Sequence, residues 1–271
     1  MKEKTDIVFV ILVYSNYFDL YDFIKSLKNV KCKYRIIVID SFYSDEVSGI
    51  LVKYCESNFI EYKCVENKGY GFGNNIGFDL AINKFDFRWI VLCNPDIEIL
   101  KFDINILVQY DDSVIGPKII RNDLRNQNPF YFKKSKLVNT LKRKSAIKKS
   151  NLYLFFAILI NKLNNLFHHI YSFGKDVIKV EALHGSFIIL PKKIFDKGTK
   201  IFDEKIFLFT EEEQLADYAT MLSMQLLYSK KLLVKHKEDG SFKSTSYNQR
   251  QLLFESYQKY YHMKDISKKN L

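Results

Sequence analysis

The first half of the chain alternates apolar runs with amphipathic stretches. Ile7–Val13 is apolar at every position, the pattern of a strand covered on both faces. Helical spacing follows over 18–27. A second apolar run, Arg35–Ile39, ends on Asp40. Ser44 stands where a helix N-cap belongs, with Asp45 and Glu46 in the turn after it. A third strand is predicted at Ile60–Val65, a helix at about 74–83, and a fourth strand at Trp89–Cys93. Strands and helices alternating at this spacing predict an α/β fold on a mostly parallel, doubly wound sheet. Ligands bind such sheets beyond the carboxyl ends of the strands. Asp40, Asn67 and Asp96 all fall at or just after those ends.

The pattern breaks between about 121 and 178. Arg121–Pro129 reads as a loop, and Lys133–Lys149 holds eight Lys/Arg and no acid. The apolar block Leu152–Ile160 follows, cut short by Asn161 and Lys162. Strand character returns at Val180, with strands expected at Gly185–Leu190 and Leu232–Lys235. The expected organisation is one α/β domain over 1–240 carrying a basic helical insertion at about 121–178, and a helical extension over 241–271.

Charge sharpens that division. The net charge is +11, but residues 1–130 hold 16 basic and 18 acidic side chains, and residues 131–271 hold 26 and 13. A basic face confined to the second half argues against a chain built for nucleic acid and for a local contact with an anionic surface. No stretch reaches the roughly 18 apolar residues of a membrane-spanning helix. The start of the chain reads as a strand rather than a leader, with Glu3 and Asp6 in it. The four cysteines, Cys32, Cys55, Cys64 and Cys93, lack metal-ligand spacing and read as reduced, buried thiols. Together these predict a cytoplasmic protein, peripheral at the inner face of the cell membrane.

The candidate chemistry lies in a few segments. Asn67–Gly77 carries Gly69, Gly71 and Gly73 at alternate positions, then Asn74, Asn75 and Gly77. Such glycines serve a tight turn or a close approach. The segment follows the third strand, and its spacing matches neither a dinucleotide fingerprint nor a phosphate-binding P-loop. Asn94-Pro95-Asp96 offers an amide and a carboxylate at a strand end, suited to a hard divalent cation and the phosphates of an activated donor. Thr210 and Glu213 have the spacing of a capping box, leaving Glu211 and Glu212 as crowded carboxylates, each raising the other's pKa toward that of a general base. His236 follows a strand end and suits a metal or a phosphate. His184 is similar, whereas His168 and His169 sit in a basic, aromatic stretch.

In order, these segments resemble the inverting family 2 glycosyltransferases of GT-A fold, and most closely their bacterial rhamnosyltransferase-like branch. The resemblance rests on Ile39–Asp45, Asn67–Gly77, Asn94–Asp96, Gly185–Pro191, Phe202–Leu215 and His236, and covers about 1–120 and 180–240. It implies a Rossmann-like sheet and transfer, with inversion, of a sugar from a nucleoside-diphosphate sugar (dTDP-rhamnose or a UDP-hexose). The implied acceptor is a glycan or a polyprenyl-diphosphate-linked oligosaccharide, in O-antigen or capsule synthesis. The implied site has Asp40, Asn67, Gly71, Asn75 and Asn94 around the donor and Mg²⁺ or Mn²⁺ on Asp96 and His236. Glu212 is the implied base, with Glu211 the runner-up. The chain departs from the family pattern at Ser41, at Glu212 and Gln214 where aspartates are usual, and at Ala216–Ala219, which lacks the usual Arg. Those departures leave a catalytically impaired sugar-nucleotide-binding relative as the first alternative. A basic nucleic-acid-binding protein is the second.

Overall fold

Alternation of side chains about a fully covered strand organises the molecule. The computed structural model describes residues 2–238 and 248–269. In β2 (Ile7–Val13), Ile7, Phe9, Ile11 and Val13 join one core layer with Leu20 and Phe23 of α1 (Phe18–Ser26). Val8 and Val10 join the opposite layer with Phe78 and Ala81 of α3 (Tyr70–Lys84). Both faces are dry, as the unbroken apolar run requires.

β3 (Tyr34–Ser41) and β4 (Glu61–Val65) extend the sheet on one side, and β6 (Trp89–Cys93) on the other, all parallel to β2. α2 (Asp45–Ser57) links β3 to β4, and its N-cap Ser44 accepts a hydrogen bond from the Val47 amide. Beyond β6 the sheet is mixed. β10 (Phe187–Pro191) runs antiparallel to β6 and to β8 (Val114–Arg121). β8 pairs in parallel with β11 (Leu226–His236), which runs antiparallel to β7 (Ile97–Lys101) and β9 (Val177–Val180). The order is β4-β3-β2-β6-β10-β8-β11-β7, with β9 on β11. β1 (Glu3–Lys4) and β5 (Phe85–Asp86) form a small separate parallel pair. The four strands read as parallel in the first half are parallel. The antiparallel partners come from the second half, where strand spacing carried no direction.

α3 begins four residues before its predicted start. The glycine stretch is therefore mostly helix, and only Gly69 takes a left-handed backbone, with φ +105°. The helical glycines serve close packing: a Cβ on Gly73 would lie 2.4 Å from Leu12, and one on Gly77 2.3 Å from Val10. They let α3 sit directly on β2.

The 121–178 region contributes α5 (Lys136–Lys148) and α6 (Asn151–Tyr171), which pack on each other. α4 (Ile104–Gln109) and α7 (Glu211–Met221) complete the helices that cover the sheet. α8 (Gln249–Lys269) lies against α5, and its Phe254 and Tyr257 cluster with Ala146 of α5 and Leu154 of α6. Residues 241–247, 270 and 271 of the expected extension lie outside the described residues. The expectation of four buried thiols fails in part: Cys55 and Cys93 are buried, Cys32 is half-buried and Cys64 exposed, because β4 lies at the sheet edge.

Candidate active site

A cleft of about 710 Å³ opens at the carboxyl ends of β2, β3 and β6. Each wall follows from an element already placed. Ser41 ends β3, Asn67, Gly69 and Tyr70 lead into α3, and Asn94 to Asp96 follow β6. His184 to Ser186 precede β10, Glu211 and Glu212 open α7, and His236 ends β11. Gln249 and Leu252 of α8 also line it. Of the residues the sequence proposed, Asn67, Asn94, Asp96, Glu211, Glu212 and His236 share this one cleft.

Asp40, Gly71 and Asn75 lie behind the wall. Asp40 is fully buried; its Oδ2 accepts from Ser48 Oγ at 2.5 Å and Tyr62 Oη at 2.7 Å, and its Oδ1 has no partner among the described residues. Asn75 Nδ2 donates to the Phe202 carbonyl at 2.9 Å, and its Oδ1 accepts from the Phe202 amide at 3.2 Å. This reciprocal pair clamps α3 to the loop before α7, and Asn75 does not line the cleft. Gly71 serves the same seam, since a Cβ there would be 2.7 Å from Phe202 Cβ.

Asp96 and His236 meet at one corner of the cleft. Asp96 Oδ2 lies 3.2 Å from His236 Nε2, and its buried Oδ1 has no partner among the described residues. His236 Nδ1 is 2.8 Å from Gln127 Oε1, while Gln127 Nε2 donates to Glu238 Oε1 at 2.7 Å. That orientation of Gln127 makes Nδ1 the protonated nitrogen, so a neutral His236 turns the Nε2 lone pair toward a carboxylate. Two facing lone pairs repel unless a proton or a cation lies between them. The pair, with the orphaned Asp96 oxygen, therefore fits a divalent cation bound by few protein groups. Among the described residues no group of three or more His, Cys, Asp or Glu side chains converges, so a cation held here would need its other ligands from substrate or water. Gln127 and Glu238 were invisible in the sequence, because nothing in a polar loop marks a residue that orients a distant imidazole.

His184 stands beside His236, ring centroids 5.9 Å apart. Burial, and then the neighbouring His236, hold it down at about 3, so His184 is neutral and its Nδ1 pairs with Ser186 Oγ at 2.9 Å.

Glu211 and Glu212 come from the first turn of α7. Phe209 and Thr210 both take left-handed backbone, φ +71° and +69°, a sparsely populated conformation for residues with side chains. That turn carries the two carboxylates to the cleft and removes the expected capping box: Thr210 makes no side-chain cap, and Glu213 turns inward instead to Lys142 Nζ at 2.6 Å. Gln214, where the family pattern has an acid, donates to Thr210 Oγ1 and accepts from the Asp203 amide at 2.7 Å, bracing the same loop.

Glu212 is half-buried, and its Oε1 accepts from the Gly185 amide at 3.2 Å. Burial, then the charge of Glu213, raise its carboxyl to about 7. Glu211 is deeper and is pushed well above the carboxylate range by burial and by Glu212; its Oε1 is buried without a partner among the described residues. Glu212 is thus the carboxylate able to accept a proton near neutrality. A rate limited by that acceptance should rise with pH through about 7 and then level. A kcat/KM profile for the free enzyme checks this. The same shift costs the fold: its contribution to stability is complete below the ordinary carboxylate pKa and is lost as pH rises through about 7.

The sequence model of glycosyl transferase family 2 matches residues 8–173. The low-salt glycan biosynthesis hexosyltransferase Agl10 of Haloferax volcanii is 27% identical over 123 residues, 44% of this chain and 38% of that protein. Among solved structures, GalNAc-T7 with UDP, GalNAc and Mn²⁺ superposes with TM-score 0.61 at 13% identity, over 86% of this chain and 44% of that one. TarS of S. aureus superposes with TM-score 0.53 at 13% identity, over 86% and 36%. The chain thus spans less than half the length of each of these three proteins. At such identities the structural likeness establishes the fold, a GT-A-like mixed sheet flanked by helices.

Proposed function

The chain belongs to glycosyl transferase family 2, and from that premise we propose that it moves a sugar from a nucleoside-diphosphate sugar to an acceptor hydroxyl, inverting the anomeric carbon. One observation carries the reading: a single cleft holds Glu212, raised to about 7, together with the Asp96–His236 corner. Glu212 takes the proton from the acceptor hydroxyl as that oxygen bonds to the anomeric carbon. The bond from that carbon to the diphosphate oxygen breaks, and the nucleoside diphosphate leaves. No protein nucleophile intervenes, so the configuration inverts.

Among its described residues the cleft is lined by Asp19, Asp96, Glu212 and Glu238, by Glu211 in its neutral form, and by no Lys or Arg. A diphosphate brought into that field needs a counter-charge. When bound at Asp96 and His236, Mg²⁺ or Mn²⁺ supplies it and offsets the charge of the leaving group. Asn67, Asn94 and Ser41 offer polar contacts to the donor, and Asp40 stands behind them with one oxygen that has no partner among the described residues. GalNAc-T7 was solved with UDP and Mn²⁺, and Agl10 is described as a hexosyltransferase of glycan biosynthesis. Both favour a UDP-hexose as donor, with dTDP-rhamnose the next to try. The proposed acceptor is a growing or lipid-linked surface glycan.

The test is a panel of UDP-, dTDP- and GDP-sugars, read by thermal shift and by mass spectrometry, with and without Mn²⁺. One class of donor should raise the melting temperature only when metal is present, and Asp96→Asn should lose that shift while melting normally without ligand. If no sugar nucleotide alters the melt or is consumed, with or without Mn²⁺, the proposal fails.

A further inference from the structure

α6 carries apolar side chains on its outward face as well as on its inward one. Its inward side presents Leu154, Ala157, Asn161 and Asn165: Leu154 and Ala157 are buried, and both asparagines donate to the Phe130 carbonyl, at 3.4 and 3.2 Å. Its outward side presents Leu152, Phe155, Leu159, Leu163, Leu166 and Ile170, each between 40% and 67% exposed. At about 100° per residue these six fall within roughly 80° of arc, a stripe about 27 Å long. A contiguous apolar stripe of that length facing water marks an interaction surface.

The charge beside the stripe identifies what covers it. Lys144, Lys148 and Lys149 end α5 just before Leu152, and Lys162 borders the stripe; all four are exposed, with no carboxylate in ion-pair range among the described residues. The basic count of the segment overstates this face, because Lys142 is buried on Glu213, Lys134 pairs with Asp217 and Arg143 with Asp265. A two-fold contact with a second copy would set these free lysines against one another. An anionic bilayer answers both the stripe and the cations. No helix among the described residues is long and apolar enough to cross a membrane, so α6 lies on the surface rather than spanning it.

We propose that α6 is an interfacial helix: its leucine and phenylalanine stripe seats in the acyl–headgroup boundary of an anionic membrane, and the lysines at its amino end and flank contact the lipid phosphates. The helix is tied to the active site. Asn161 and Asn165 hold Phe130, and the next residue, Tyr131, donates to Glu213 beside the proposed base at 3.1 Å. A bilayer on α6 would therefore set a lipid-borne acceptor at a fixed distance from the cleft. The membrane contact itself does not depend on the reading of the cleft.

Flotation of the full chain with vesicles of phosphatidylglycerol and phosphatidylcholine tests this, at low and high salt. The protein should float with the mixed vesicles, less so at high salt, and stay behind with phosphatidylcholine alone. Leu159→Glu with Leu163→Glu should reduce partitioning roughly tenfold or more. Both residues are exposed, so the variant should keep the wild-type melting temperature. Glu212→Gln should float like the wild type, which separates this proposal from the catalytic one. Absence of flotation with anionic vesicles would overturn it, as would unchanged flotation of the double variant. A dimer by light scattering that dissociates in the double variant, without lipid binding, would assign the stripe to a second copy instead.

Discussion

Glu212→Gln should lower transfer by about 10²–10⁴-fold, the usual contribution of a positioned general base, equivalent to roughly 3–5.5 kcal/mol of barrier. Binding of the donor with metal should be kept, because Gln retains an oxygen that can accept from the Gly185 amide where Glu212 Oε1 now does. The amide cannot take a proton from the acceptor. Calorimetry of UDP with Mn²⁺, beside initial rates on a saturating donor, separates the two effects: the loss should appear in kcat, with donor affinity within a few-fold of wild type. Glu211→Gln is the control. Its carboxyl is held protonated by burial and by its neighbour, so the substitution replaces one neutral group with another. A Glu212→Gln enzyme within tenfold of wild type would exclude Glu212 as the base and move the role to Glu211.

The strands of the first half were legible because covered strands advertise themselves as unbroken apolar runs: Ile7–Val13 and Trp89–Cys93 appear where they were read. The cleft was legible because polar residues at strand ends must gather on one edge of a parallel sheet, as Asn67, Asn94 and Asp96 do. Other features depended on contacts far apart in sequence. The glycine stretch looked like a turn because local reasoning sees only backbone freedom, whereas Gly73 and Gly77 are needed by Leu12 and Val10 of a strand some sixty residues earlier. Thr210 and Glu213 have capping-box spacing, but a left-handed Thr210 and a buried cation on α5 take the side chains elsewhere. For Gly73, Thr210 and Glu213 the residue type suited the local rule and a tertiary partner overrode it; Asn75, read as donor-binding, pairs with the Phe202 backbone, 127 residues away.

Lys142→Met should destabilise the fold by about 3–5 kcal/mol, the usual cost of stranding one member of a buried ion pair. Lys142 and Glu213 are both about 95% buried, with Nζ 2.6 Å from Glu213 Oε1. Burial alone would strip the proton from Lys142, but the Glu213 charge, with Tyr257 and Tyr131, raises it well above its ordinary value. The rings of Phe130, Tyr131 and Tyr257 stand 4.9–5.3 Å from the ammonium and add cation–π attraction. Without the cation, Glu213 must keep an uncompensated charge or take up a proton. Lys142→Met with Glu213→Leu should recover most of the loss, since an apolar pair needs no desolvated charge; a double-mutant cycle in urea measures the coupling. Additive losses would mean that the pair is not the unit. The network also reaches the proposed base, which faces Glu211, Glu213, Lys142 and Tyr70. Removing the Glu213 charge takes away a repulsion and leaves the Lys142 attraction, both of which favour ionised Glu212. Glu213→Gln should therefore move the rise in kcat/KM to lower pH, whereas a purely structural role for Glu213 would leave the profile in place. In this way a lysine of the basic insertion fixes the charge beside the carboxylate proposed as the base, joining the region that broke the α/β pattern to the proposed chemistry of the cleft.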